Sequence, residues 1–100
     1  MNNFYLEDKY FNMLIDIFNN YCPNATIYAY GSRIKNEAQQ FSDIDLSIKN
    51  FNDENCNINE LKNIINKSNL PYIVDINLFD NMPDYMQKEI LNNNIIIFGK

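Results

Sequence analysis

The stretch that decides the fold is SDIDLSIK, residues 42–49. Its polar and apolar residues alternate, and a period of two is typical of a β-strand with one buried face and one open face. The isoleucines and the leucine fall on one face, and Asp43, Asp45 and Ser47 fall on the other. We therefore predict a strand that projects two carboxylates and a hydroxyl from its open face.

Six further elements are predicted on either side of this strand. Helices are expected over residues 4–21 with Asn3 as the cap, over 57–67 from a capping box of Asn57 and Glu60, and near the end of the chain with Pro83 in the first turn. Strands are expected over residues 25–30, 72–78 and 95–98, and a short helical turn with a loop over 32–42. The order α-β-β-α-β-α-β predicts an α+β fold, a small mixed β-sheet packed by helices, in a single domain over residues 1–100.

The composition limits the classes of partner that the protein can bind. The chain has 100 residues, 46% of them hydrophobic, and a formal net charge of −5. These values predict a globular protein without the basic face that nucleic-acid binding needs, although a metal ion can still supply local positive charge for one nucleotide. No apolar run approaches a membrane span, and no basic region followed by an apolar stretch opens the sequence, so we expect a cytoplasmic protein.

Cysteine and histidine usage excludes one class of site. The sequence has no histidine, and its two cysteines, Cys22 and Cys56, lie far apart. No zinc site can be drawn from these residues. We expect two reduced thiols, and the sequence leaves a disulfide between them open.

A third aspartate extends the pattern of the first two. In the predicted strand 72–78, Val74, Ile76 and Leu78 share one face, and Ile73, Asp75 and Asn77 share the other. Two neighbouring carboxylates repel each other unless a cation intervenes, and Mg²⁺ prefers oxygen ligands. If the two strands are neighbours, Asp43, Asp45 and Asp75 meet on one face and can serve a two-metal site. Taken alone, each of the three could also be an ordinary aspartate on the solvent-facing side of a strand.

A possible anion site follows the first predicted strand. Gly31 permits a tight turn and close approach of a ligand to the backbone, and the Ser32 hydroxyl and nearby amides can bind an anion. Arg33 can add positive charge toward phosphate. A Gly-Ser pair after a strand is also common as a simple turn, and this alternative stays open.

Together these residues resemble a known family. Three stretches are similar to the signature of the DNA polymerase β-type nucleotidyltransferase superfamily: Tyr30-Gly31-Ser32-Arg33, then Asp43-Ile44-Asp45 with ten residues between Ser32 and Asp43, and later Val74-Asp75-Ile76. The similarity is strongest to its minimal nucleotidyltransferase branch and runs through essentially the whole chain. Two positions depart from the usual pattern, since Asn36 and Asn94 stand where relatives often have glycine.

The resemblance implies a set of roles. The three aspartates, Asp43, Asp45 and Asp75, would be catalytic and would hold two Mg²⁺ ions, and Gly31, Ser32 and Arg33 would hold the phosphates of ATP. Small stand-alone members resemble antitoxins that transfer AMP to a tyrosine of a HEPN-domain ribonuclease toxin. Large members carry added domains that serve template or tRNA; we expect none here, and therefore no polymerase or tRNA-tailing role.

Two alternatives to that function stay open. The chain could be a non-catalytic antitoxin that blocks its toxin by contact, or a nucleotidyltransferase that acts on a small molecule. The complete set of aspartates argues against purely steric inhibition. Relatives that act on small molecules carry an added helical domain for the acceptor, which we do not expect here, although a second subunit could supply that wall.

Overall fold

The computed structural model describes residues 6–31, 43–51 and 57–99. These segments form three α-helices, four β-strands and one short 3₁₀ helix. In chain order they are α1 (Asp8–Tyr21), β1 (Thr26–Tyr30), β2 (Ile44–Lys49), α2 (Ile58–Asn66), β3 (Val74–Leu78), the 3₁₀ helix Phe79–Asn81, α3 (Asp84–Asn92) and β4 (Ile95–Phe98). The predicted order of helices and strands is confirmed, and the 3₁₀ helix is the one described element that the sequence pattern missed.

The four strands form one mixed sheet in the order β3-β2-β1-β4. Strand β1 pairs antiparallel with both β2 and β4, whereas β2 pairs parallel with β3. A parallel pair needs a crossover connection, and α2 lies in the chain between β2 and β3. The prediction of an α+β fold with a small mixed sheet is therefore confirmed.

One face of the sheet packs against α1 and α2 to form the main core. Alternating residues of the strands are buried with the apolar stripes of the two helices. The fully buried members are Leu14, Phe18, Ile27, Ala29, Ile44, Leu46, Leu61 and Ile76. Burial of this apolar surface is the main favourable contribution to folding.

The opposite face of the sheet is only partly covered. A second, smaller cluster joins Phe79, Met82 and Ile90 to Tyr28 and Tyr30 of β1. The 3₁₀ helix and α3 thus shield one part of this face, and the remainder is available to carry polar side chains.

This cover overturns one expectation about β2. Ser47 was expected on an open face, but its side chain is 0% exposed. Its hydroxyl lies 3.3 Å from the sulfur of Met82 and donates a hydrogen bond to it. The residue that buries Ser47 is 35 positions away in the chain, so no local alternation could have indicated it.

The predicted start of the first helix is also wrong within the described residues. Helix α1 begins at Asp8, and Glu7 has an extended backbone with φ −60° and ψ 142°. The Glu7 carbonyl accepts hydrogen bonds from the amides of Tyr10 and Phe11. Leu6 packs against the core from outside the helix, so the apolar contacts of this segment begin before α1 does. The expected cap Asn3 lies outside the described residues.

The start of α2 follows half of the predicted capping box. The Asn57 side chain accepts hydrogen bonds from the amides of Asn59 and Glu60, as an N-cap should. The Asn57 amide, which Glu60 would bind in a full box, instead donates to the hydroxyl of Tyr21 at 2.8 Å. A tertiary contact with α1 therefore replaces the second half of the box.

The two ends of α3 are set by Pro83 and Asn94. Pro83 is the N-cap rather than a member of the first turn, and its carbonyl accepts from the amides of Met86 and Gln87. Asn94, which stands where relatives often have glycine, donates from its side chain to the Ile90 carbonyl at 2.7 Å. That bond satisfies a carbonyl of the last turn, so the helix ends without a glycine. No helix in the described segments is both long enough and apolar enough to cross a membrane.

Candidate active site

The register of β2 and β3 brings two aspartates together. Asp45 and Asp75 are direct partners across the parallel pair, so their side chains leave the same face of the sheet. That face is opposite the main core, because their neighbours Ile44, Leu46 and Ile76 are fully buried in it. The shared face was expected if the two strands are neighbours, and they are neighbours in the sheet.

Asp43 joins the same group from the residue just before β2. It lies two positions from Asp45, the spacing that places extended residues on one face, and its side chain is exposed. Burial raises the pKa of Asp45 above its ordinary value, and the charges of Asp75 and then Asp43 raise it further. The second effect shows that the three carboxylates interact. The raised pKa means that ionisation of Asp45 is less favourable on this face than in water.

Asn77 holds the carboxylate of Asp75. Its side-chain amide donates to Asp75 Oδ1 at 3.0 Å, and the two residues are two positions apart on β3. The sequence placed Asn77 on the same face as Asp75 without giving it a role. Its amide partially compensates the negative charge and limits the rotation of the Asp75 side chain.

Gly31 lies against the other side of Asp45. Strand β1 ends at Tyr30, which pairs with Asp45 across the sheet, and Gly31 follows with φ +81°. A Cβ atom at Gly31 would lie 2.5 Å from Asp45 Oδ2 and 3.4 Å from Asp45 Cγ. Glycine is required here both by the left-handed backbone and by the closeness of the carboxylate. Ser32, Arg33 and Asn36 lie outside the described residues.

Tyr30 is a member of this face that the sequence argument used only as part of a motif. Burial, then the charges of Asp45 and Asp75, raise the pKa of the Tyr30 phenol to about 12. The phenol therefore stays protonated at neutral pH and remains able to donate a hydrogen bond. The register Tyr30↔Asp45 is the signal that identifies it, and that register becomes visible only in the folded sheet.

The chemistry of these residues fits a hard divalent cation. Asp43, Asp45 and Asp75 offer carboxylate oxygens on one face, and Asp43 and Asp75 are exposed, so bound water can remain on the ion. Burial and then repulsion from Asp75 and Asp43 raise the pKa of Asp45, and a cation would relieve the repulsion. In the described segments, no three Asp, Glu, Cys or His side chains are already drawn together into a metal-binding group.

The fold and this face define a class. The mixed sheet, with paired carboxylates on adjacent parallel strands beside a glycine turn, agrees with the nucleotidyltransferase class that the sequence resembles. The sequence model of the family described as polymerase beta, nucleotidyltransferase matches residues 12–100. The chain therefore belongs to the polymerase beta-type nucleotidyltransferase family.

Individual relatives lie within the same family. A Methanocaldococcus jannaschii protein, whose name assigns it provisionally as a protein adenylyltransferase, is 37% identical over 73 residues, 73% of this chain and 54% of its own length. MntA of Haemophilus influenzae, with the same provisional assignment, is 37% identical over 57 residues, 54% of this chain and 48% of its own length. The matches thus span about half the length of these two relatives.

A solved structure supports the fold. One chain of a crystal structure described as a toxin–antitoxin with AMP-PNP superposes with a TM-score of 0.72 at 22% identity. The match covers 90% of this chain and 73% of that chain. At this level of identity the similarity is one of fold.

Proposed function

We propose that this chain transfers AMP from ATP to a hydroxyl group of a partner protein, and that the acceptor is a tyrosine of a HEPN-type ribonuclease toxin that the transfer neutralises. The observation that carries the proposal is the register that sets Asp45 opposite Asp75, with Gly31 against the Asp45 carboxylate. Those three residues bring acidic oxygens beside a backbone turn that a phosphate can approach closely.

The reaction is a displacement at the α-phosphorus of ATP. The acceptor hydroxyl oxygen forms a new bond to this phosphorus while the bond to the pyrophosphate oxygen breaks, so AMP is attached and pyrophosphate leaves. The hydroxyl proton passes to the carboxylate of Asp75 and then to water. The protein contributes mainly by holding the reacting oxygens in place and by balancing charge, as in other phosphoryl-type transfers.

Each member of the face has an assigned task in this proposal. Asp43, Asp45 and Asp75 would hold two Mg²⁺ ions, which supply positive charge to the phosphates and to the attacking and leaving oxygens. Gly31, with Ser32 and Arg33, would bind the β- and γ-phosphates. Asn77 holds Asp75 in position by the 3.0 Å hydrogen bond, and the Tyr30 phenol stays available as a neutral donor beside Asp45.

The comparisons support a protein as the acceptor. Two relatives carry provisional names as protein adenylyltransferases, and the fold of a chain from a toxin–antitoxin complex is similar. The net charge of −5 favours a protein acceptor over nucleic acid, because phosphate-rich partners require a basic face.

The test is incubation with ATP, Mg²⁺ and the purified protein encoded by the neighbouring gene, followed by mass spectrometry of that intact protein. We expect the mass of one adenylyl group on a tyrosine, and none with the double variant Asp43→Asn, Asp45→Asn. Asp16→Asn, an exposed change on α1, is the matched control and should transfer normally.

Two results would redirect the proposal. If the double variant still neutralises the toxin at full strength, the protein acts by contact and not by catalysis. If AMP is transferred to a small hydroxylated compound and never to the partner, the acceptor is a small molecule.

A further inference from the structure

A cavity opens beside the acidic face, on the β3 side of the sheet. Its volume is about 290 Å³, and it lies between the first half of α2, the end of β3 and the segment that leads into α3. Asn77 lines it and also binds Asp75, so the cavity and the carboxylates share a residue. The residues used below are Lys62, Asn77, Asn81, Met82 and Met86.

The walls of the cavity suit an aromatic ring. Met82 and Met86 present polarizable side chains, and sulfur makes favourable contacts with aromatic rings. Lys62 supplies an ammonium group that can lie over a ring face, and Asn77 and Asn81 supply amides for a polar substituent. A largely apolar pocket with a few polar groups at its rim is the usual form of a small-ligand site.

The position of the cavity distinguishes the two aromatic groups of the reaction. In the sheet order β3-β2-β1, Asp45 of β2 has Gly31 on its β1 side and Asp75 with Asn77 on its β3 side. In a displacement at phosphorus, the attacking and leaving oxygens lie roughly in line on opposite sides. If the phosphates lie at Gly31, the pyrophosphate leaves on the β1 side, and the attacking hydroxyl arrives from the β3 side.

We propose that this cavity holds the aromatic ring of the acceptor residue, an inference that rests on the function proposed above. Asn77 is two strand positions beyond Asp75, a separation of roughly 6.6 Å along β3. A tyrosyl side chain has a similar length, so a ring against Asn77 and Met82 can direct its hydroxyl to Asp75. There the hydroxyl oxygen bonds to the α-phosphorus as the pyrophosphate oxygen departs, and Asp75 takes the proton.

The first test is binding of a probe without catalysis. N-acetyltyrosinamide is titrated into protein with labelled methionine methyl groups, in the wild type and in the inactive Asp45→Asn variant. We expect the methyl signals of Met82 and Met86 to shift in both proteins, while that of Met13 on α1 stays in place. Shifts caused by adenosine and not by N-acetyltyrosinamide would overturn the proposal, because the cavity would then belong to the donor.

The second test blocks the cavity at an exposed position. Asn81→Trp places a large side chain at its rim, and Asn92→Trp, a change at another exposed asparagine at the far end of α3, is the matched control. With the toxin as acceptor, we expect Asn81→Trp to lower kcat/KM for the toxin by about 10- to 100-fold and to leave the KM for ATP unchanged. Asn92→Trp should leave both unchanged.

The outcomes separate this inference from the proposed function. If the wild type transfers AMP and Asn81→Trp does so with unchanged kcat/KM for the toxin, the cavity assignment is wrong and the proposed function stands. If the wild type transfers no AMP, but N-acetyltyrosinamide shifts the signals of Met82 and Met86, the proposed function is wrong and the aromatic preference of the cavity stands.

Discussion

Replacement of Asp45 by asparagine should raise stability and abolish transfer at the same time. Asp45 is opposed directly by Asp75 on the neighbouring strand, and burial together with Asp75 and Asp43 raises its pKa. In the absence of a cation, the ionised carboxylate therefore costs the folded state free energy. An amide of the same shape removes this cost and also removes a proposed metal ligand.

The expected gain follows from the spacing of the strands. Neighbouring strands lie about 4.8 Å apart, and two unit charges at roughly 5 Å repel by about 0.8 kcal/mol in water and by about 3 kcal/mol at an effective dielectric of about 20. Asp75 is exposed, so the value near that of water applies. We expect Asp45→Asn to stabilise the protein by about 0.5–1 kcal/mol, a rise in Tm of roughly 2–8 °C for a domain of this size.

The pH dependence of this gain has a definite sign. A carboxyl whose folded pKa is raised contributes stability at low pH, and that contribution is lost as pH rises from the ordinary value of 3.8 through the folded pKa. The difference between Asp45→Asn and the wild type should therefore be small in acid and should grow toward neutral pH.

Mg²⁺ should reverse the order of stability. An ion that binds only the folded wild type stabilises it by about 1.4 kcal/mol at a concentration ten times its Kd. Thermal unfolding in chelator and in Mg²⁺ measures both effects, with Asp16→Asn as the control that changes neither. An Asp45→Asn protein that is less stable than the wild type in chelator, across the neutral range, would refute the reasoning.

Three further outcomes are expected. Gly31→Ala should lower transfer about 100-fold, because its Cβ would displace the Asp45 carboxylate; normal transfer by this variant would contradict the expectation. The control Gly99→Ala has similar backbone strain and a clash with the Ala25 carbonyl. It should lose about 1–2 kcal/mol of stability yet transfer normally when folded. Urea unfolding from pH 10 to pH 12 should show the wild type losing stability relative to Tyr30→Phe, because the folded pKa of the phenol is raised from 10.0 to about 12; parallel curves would contradict it. Asn57→Ala should lower the free energy of unfolding in urea by about 1 kcal/mol, because the amides of two residues at the start of α2 lose their acceptor. An unchanged urea midpoint would show that the cap contributes nothing.

The sequence could predict the faces of the strands but not their cover. Alternation along residues 42–49 and 72–78 depends only on strand geometry, and the buried Ile44 and Ile76 follow it. Ser47 departed from expectation because a distant residue, Met82, lies over it. Local pattern contains no information about contacts of that range.

In the site, too, the sequence could predict the faces of the strands but not the contacts between them. The spacing of Asp43 and Asp45, and the side on which Asp75 projects, could be stated from the sequence. The parallel register that opposes Asp45 to Asp75 depends on the sheet order, as does the proximity of Tyr30. Asn77 could not be distinguished from an ordinary polar strand residue until its hydrogen bond to Asp75 was visible.

The most direct measurement of the central claim follows the fate of the two ends of ATP. Parallel reactions contain the protein, Mg²⁺ and the toxin, with ATP labelled on the α-phosphate in one and on the γ-phosphate in the other. We expect the proposed toxin partner to acquire the α-label, the γ-label to be released only as pyrophosphate, and Asp75→Asn to abolish both. Attachment of the γ-label to the toxin, or an α-label that persists in Asp75→Asn, would contradict it.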